Sequence, residues 1–242
     1  MLARFRLFGV PVSIHPSVVV VVVLLGWLSG LRRPGGLAVW IGAVFLSLLV
    51  HELGHALTAR RLGSEVEIEL AGLGGLTRWT TPVSGVTPGR TALVSAAGSL
   101  AGFLLAGVVW AVSEVWGPFR GLAGLAVQVI FYANIVWGLL NWLPIRPLDG
   151  GHLLLAFLHR VAPQRAQGIA RAVFIGTAAV GGVFAFSRGL LFAAALAGWM
   201  LISELGASRP VAAPIPEFGY DDPDEGTAEE PPSADRPPWS GG

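Results

Sequence analysis

The sequence predicts an all-α polytopic membrane protein of about six transmembrane helices with a small membrane-associated β-hairpin. Three observations lead there. The 242 residues are 53% hydrophobic and 13% charged, whereas an ordinary soluble domain carries roughly 25% charged residues. Eight of the fifteen acidic residues lie after residue 206, leaving only Glu52, Glu65, Glu67, Glu69, Glu114, Asp149 and Glu204 before it. Apolar stretches close to the roughly 20 residues that cross a bilayer recur along that first part of the chain.

The elements follow in order. The opening MLARFRLFGVPVSIHPS has two arginines and then apolar residues, as a signal peptide would, but no small-residue cleavage site follows, so it reads as an uncleaved anchor. Candidate spans are 16–30, 37–60, 91–116, 121–143, 168–187 and 189–206; the first is short, and only Ser187, Arg188 and Gly189 separate the last two. Between the second and third spans, SEVEIELAGLGGLTRWTT at 64–81 breaks the helical pattern. Val66, Ile68 and Leu70 alternate with Glu65, Glu67 and Glu69, the period of a strand. Gly72, Gly74 and Gly75 supply a turn into a second short strand. A lone hairpin is marginal in water, so this one should lean on the helices. From Ala207 the chain turns Pro-rich and acidic and reads as a disordered tail. The expected organisation is a membrane-embedded domain over 1–206, with its core at about 37–160, and a cytoplasmic tail over 207–242.

Composition narrows the chemistry. There is no cysteine, which excludes disulfides and thiolate metal sites, so any metal must use His, Asp or Glu. All sixteen basic residues are arginine, in a background of Ala, Gly and Val that suits a GC-rich bacterial genome. Cytoplasmic loops concentrate positive charge. With both termini cytoplasmic, twelve arginines lie inside and four (Arg32, Arg33, Arg120 and Arg188) outside. That orientation also puts the end of the second span and the 144–167 loop on the cytoplasmic side.

The second span ends in His51-Glu52-Leu53-Gly54-His55, an H-E-x-x-H motif. On a helix the two histidines are one turn apart on one face, so both imidazoles can bind one metal, and Glu52 can stand beside it as a general base without being a ligand. Three ionisable groups in five residues at membrane depth are costly and default to function. A catalytic zinc site usually takes a third protein ligand. Two candidates lie in NWLPIRPLDGGH: Asp149, the sole acid between Glu114 and Glu204, and His152 three residues on. Asp149 is favoured.

HELGH, the EVEIEL and GLGG segments of the hairpin, and N-x-x-P-x-x-P-L-D-G-G at 141–151 together resemble the site-2 protease family of intramembrane zinc metalloproteases. The opening GVPVSIHPS resembles the entry to the first helix of bacterial members. The likeness covers about residues 9–160 and contains no PDZ-like or nucleotide-binding insertion. It implies one Zn²⁺ held by His51, His55 and Asp149, with Glu52 as general base and Asn141 as a polar group near the substrate. It further implies a multi-pass enzyme of the bacterial cell membrane that cuts transmembrane segments of other proteins, such as a membrane-bound regulator of the anti-sigma-factor kind. One departure is clear: many members carry G-P-x-x-N in the third span, and here GSLAG at 98–102 puts Ser99 and Gly102 in place of the Pro and Asn.

A peptide bond inside a transmembrane helix is shielded by its own hydrogen bonds, so a substrate must unwind before attack, in a polar cavity that water can enter. The hairpin then has two readings: a clamp that adds substrate as a strand, with Val66, Ile68, Gly74 and Gly75 as binding residues, or a plug that closes the cavity. An inactive scaffold has no need of Glu52, and a metal transporter would show repeats about a midplane site, which the sequence lacks. The orientation is directly testable: reporters fused after Arg160 and after Glu217 should both give cytoplasmic signals, and a periplasmic signal at either position refutes it.

Overall fold

The computed structural model describes residues 1–72, 74–80, 85 and 87–206; the expected tail lies outside them. Two strands, β1 (Ala3–Leu7) and β2 (Val10–Ile14), precede helices α1 (Pro16–Leu28) and α2 (Pro34–Arg61). Strands β3 (Val66–Ala71) and β4 (Gly74–Trp79) follow, and then α3 (Pro88–Trp116), α4 (Gly121–Asn141), α5 (Asp149–Val161), α6 (Ala166–Ser187) and α7 (Leu191–Gly206). Proline opens α1, α2 and α3, where its missing N–H costs nothing and its fixed φ suits the first turn. Thr87 caps α3 by accepting from the Arg90 N–H.

The hairpin expected at 64–81 is present as β3 and β4, but it is not alone. The four strands form one sheet in the order β1-β2-β3-β4, with β2 and β3 parallel and the other pairs antiparallel. The opening residues, expected to run straight into an anchor, are therefore half of this sheet. Val10, Val12, Ile68 and Leu70 point inward and pack with Val18, Val22, Leu48, Leu53 and Ala56 of α1 and α2. The outer face is charged: Glu67 meets Arg4 at 3.5 Å, and Glu69 meets Arg78 at 2.8 Å. A sheet with one apolar and one charged face is thus pressed onto the helices, which is how a pair of small hairpins becomes stable.

The expectation of six spans is met in part. Among the described residues four helical segments are long and apolar enough to cross a membrane: α2, α3, α4 and the run Pro163–Ser187 that contains α6. At 13 and 16 residues, α1 and α7 are shorter, about 20 and 24 Å against a hydrocarbon core of about 30 Å. The 144–167 connection, expected as a loop, contains α5, an amphipathic helix packed on α3 and α6. Helix α2 is the hub, in contact with α1, α3, α4, β3 and β4. Outward residues such as Leu104, Trp110, Val180 and Phe184 are exposed and apolar, the distribution expected where helices face lipid rather than water.

Helix α7 packs against α6, and its buried residue is Glu204. That carboxylate takes both ends of the Arg146 guanidinium, Nε donating at 3.3 Å and Nη2 closer, while Arg171 donates to the Glu204 backbone carbonyl at 3.2 Å. Arg146 also lies 5.1 Å from the centroid of the buried Phe174 ring. Removing one partner of a buried ion pair costs about 3 kcal/mol or more. Glu204→Ala should therefore lower the thermal midpoint of the detergent-solubilised protein by several degrees, while Leu205→Ala on the exposed face should leave it nearly unchanged.

Candidate metal centre

Ser47, His51 and His55 recur every four residues and so share one face of α2. All three are buried. The His51 and His55 Nε2 atoms are 3.1 Å apart, with the rings nearly perpendicular. Nδ1 of His55 donates to the Val94 carbonyl on α3 at 2.7 Å, which leaves Nε2 as the atom with the free lone pair.

Asp149 opens α5, where a negative charge suits the positive end of the helix. Its Oδ2 lies 3.4 Å from both Nε2 atoms, yet it is buried and makes no hydrogen bond. Burial works against ionisation here, but the His51 and His55 rings outweigh it and hold the carboxyl well below the usual carboxylate range. Gly150 and Gly151 set this position. A Cβ on either would press into the backbone carbonyls of Trp142, Leu143 and Ile145, so only glycine lets the loop fold back against the start of α5.

The three donor atoms lie within 4.8 Å of one another. Tetrahedral ligands about 2.0–2.1 Å from a zinc ion are themselves about 3.3 Å apart, close to the separations found here. A buried anionic oxygen with no donor, facing two imidazole nitrogens, fits a cation. Two nitrogens and one oxygen, without thiolate, match the His₂-carboxylate set of open catalytic zinc sites.

Sequence reasoning placed His51, His55 and Asp149 in the site, and the structure brings them together. Asn141 is there too, its Nδ2 3.2 Å from His51 Nε2. His152, the alternative third ligand, lines the same cavity outside the cluster; burial pushes its imidazole below the ordinary value. Glu52 is buried, and its carboxylate is turned to β4 rather than into the ligand trio. Gly74 and Gly75 line the cavity, which measures ≈ 970 Å³. Val66 and Ile68, expected in the clamp, are not among the residues that line it. Strand β3 is paired with β4 along its length and with β2 from Ile68 to Leu70, and Ile68 is fully buried in the core beneath the sheet.

Several residues escaped the sequence reading. Asn134 donates to Ser47 Oγ at 2.9 Å, tying α4 to α2 one turn before His51; its spacing of seven from Asn141, on one helix face, was the available signal. Its Oδ1 would lie 3.0 Å from a Cβ on Gly102, so the α4 amide fills the space opened where GSLAG departs from the family pattern. Gly98 carries α3 against the site, since a Cβ there would overlap His55 Nε2. Gly54 likewise allows α2 to meet the Ala97 carbonyl. Thr77 donates to Glu52 Oε2 at 2.7 Å, and its alternation with Gly75 on β4 is visible once the strand is placed.

Comparison with known proteins agrees with this arrangement. The model of peptidase family M50 matches residues 39–123 and 118–181. The chain is 33% identical to Rip3 of Mycobacterium tuberculosis, named as a zinc metalloprotease, over 78% of this chain and 56% of that protein. It is 27% identical to the zinc metalloprotease MJ0392 of Methanocaldococcus jannaschii, over 64% of this chain and 45% of the other. The chain thus spans about half the length of the curated relatives it matches. Its fold is similar to that of the solved site-2 protease from Methanocaldococcus jannaschii, with a TM-score of 0.57, 22% identity, and coverage of 86% of this chain and 95% of that one.

Close approach of α3 is thus a condition of the cluster. Gly98→Ala should weaken zinc binding by about tenfold or more, as loss of ligand support does elsewhere. Zinc titration of the purified variant checks this, with circular dichroism reporting an unchanged helix content.

Proposed function

Since the chain belongs to peptidase family M50, the site-2 protease family of zinc metalloproteases, we propose that it is an intramembrane zinc endopeptidase that cuts transmembrane segments of other proteins. The observation that carries this reading is the His51–His55–Asp149 cluster with a buried glutamate beside it, opening on a cavity among apolar helices.

His51, His55 and Asp149 would hold the ion. Zinc bound there would supply Lewis acidity, which would polarise the scissile carbonyl and make water acidic enough to lose a proton near neutral pH. Glu52, one residue from His51 and outside the ligand set, takes that proton and passes it to the leaving amine, the general acid–base role. The Asn141 amide, beside His51, offers N–H groups to the carbonyl oxygen as charge gathers on it.

The substrate is a helical transmembrane segment, of a membrane-bound regulator such as an anti-sigma factor, that enters partly unwound. Strand β4 ends the sheet among the described residues. Thr80 N–H bonds to the Glu65 carbonyl. The alternation of an antiparallel ladder then pairs Arg78 and Leu76 with β3 and turns the N–H and C=O groups of Gly75, Thr77 and Trp79 to the open edge. An unwound substrate has the same groups to satisfy where water is scarce, so strand addition on β4 serves both. The clamp therefore belongs to β4 rather than β3.

The proposed setting is a bacterial cell membrane, with both termini cytoplasmic and α1 and α7 completing six crossings. Zinc chemistry and proton transfer separate by mutation. Asp149→Ala should lower zinc content, while Glu52→Gln should keep one zinc per chain and abolish cleavage of a model transmembrane peptide. Near-normal cleavage by Glu52→Gln would refute the mechanism.

A further inference from the structure

We infer that Thr77 is a positioning residue for the general base: its hydroxyl on β4 fixes the Glu52 carboxylate, so that the strand offered to the substrate also sets the base. The inference rests on the reading of Glu52 as that base.

Glu52 sits on α2 and is 4% exposed. Its carboxylate lies against β4, with Thr77 Oγ1 donating to Oε2 at 2.7 Å and lying 3.2 Å from the Glu52 backbone carbonyl. Two residues earlier, on the same face of the strand, Gly75 packs so closely that any Cβ would overlap Glu52 Cγ, Cδ and Oε1. One β4 residue makes room for the carboxylate and the next inward one holds it.

The terminal torsion of a glutamate is broad and roughly two-fold, so the carboxylate would otherwise turn freely in its pocket. A general base must stay within hydrogen-bond reach of the proton it takes. A hydrogen bond to a charged group is strong enough to set one orientation, and its loss corresponds to about 10- to 100-fold in rate. Thr77 is also among the residues whose backbone groups face the open edge of β4. One residue then meets an added substrate strand through its backbone and the base through its side chain.

The bland alternative is that Thr77 is only a β-branched strand former. The two readings order two variants oppositely. Valine keeps the shape and favours a strand at least as well as threonine, whereas serine keeps the hydroxyl and loses the branch. With a model transmembrane peptide, Thr77→Ser should retain kcat within about threefold. Thr77→Val should lose about 10- to 100-fold in kcat, with KM within about twofold and one zinc per chain. In metal-free protein, Thr77→Val should lower the Tm more when Glu52 is present than in a Glu52→Ala background, where the carboxylate is gone and only the backbone carbonyl of residue 52 remains to accept from Thr77. Valine matching or exceeding serine in kcat, loss of zinc from Thr77→Val, or equal Tm shifts in both backgrounds overturns the inference. Glu52→Gln tests the underlying reading separately: if it is inactive while Thr77→Val is normal, only the positioning role fails, and if it cleaves, both fail.

Discussion

Two imidazoles and two carboxylates cannot face lipid, and much of this structure is arranged around keeping them from it. Burying an ionised group without partners costs several kcal/mol or more. His51, Glu52 and His55 occupy a single turn near the end of an apolar helix, and no one neighbour can cover all three. Helix α3 supplies the Val94 carbonyl to His55, α4 brings Asn141 beside His51, α5 delivers Asp149 across from both, and β4 holds Glu52. Four different elements thus converge on one turn of α2. This explains why α2 is the hub, and why a sheet is pressed against what would otherwise be a plain helical bundle.

Convergence of this kind demands close approach, and small residues permit it. Without a strong hydrophobic drive between helices in lipid, packing relies on backbones that come near one another. Gly54 and Gly98 do this where α2 meets α3, and Ser99 reaches across to the Gly138 carbonyl of α4 at 3.3 Å. Gly54 precedes His55 in the chain, and Gly98 lies against its ring. Packing and chemistry are therefore a single constraint here, since a methyl group in the seam is also a methyl group in the site.

Much of this was legible in the residues, and the missing parts share a cause. The H-E-x-x-H spacing, the lone acid at Asp149 and the period-two alternation at 65–70 are local signals, and each led to the right element. The full sheet was not legible: β2 finds its partner β3 across the whole of α1 and α2, and no local pattern announces a pairing at that distance. That hidden pairing takes up the edge of β3 from Ile68 to Leu70, within the strand the sequence offered as a binding edge. A strand's alternation says which side chains are buried, not which of its two edges is taken. Helix α5 lies in a stretch whose prolines and glycines read as a loop, although its apolar stripe matches the helical period once Asp149 is taken as its first residue.

The parallel pairing of β2 with β3 has a consequence for biogenesis. Strand β2 is made before α1, and β3 only after α2, so the ribosome must deliver both helices before the centre of the sheet can close. Until then β1 and β2 form a two-stranded hairpin, which is marginal on its own. The two middle strands can meet only if α1 and α2 return the chain to the membrane face it left. A misthreaded helix pair would strand β2 and β3 on opposite sides of the bilayer, and β4 would then have no sheet to join. Correct insertion is in this way a precondition for closing the sheet whose last strand holds Glu52, so a nascent chain that threads wrongly never completes the ring of elements around His51, Glu52 and His55.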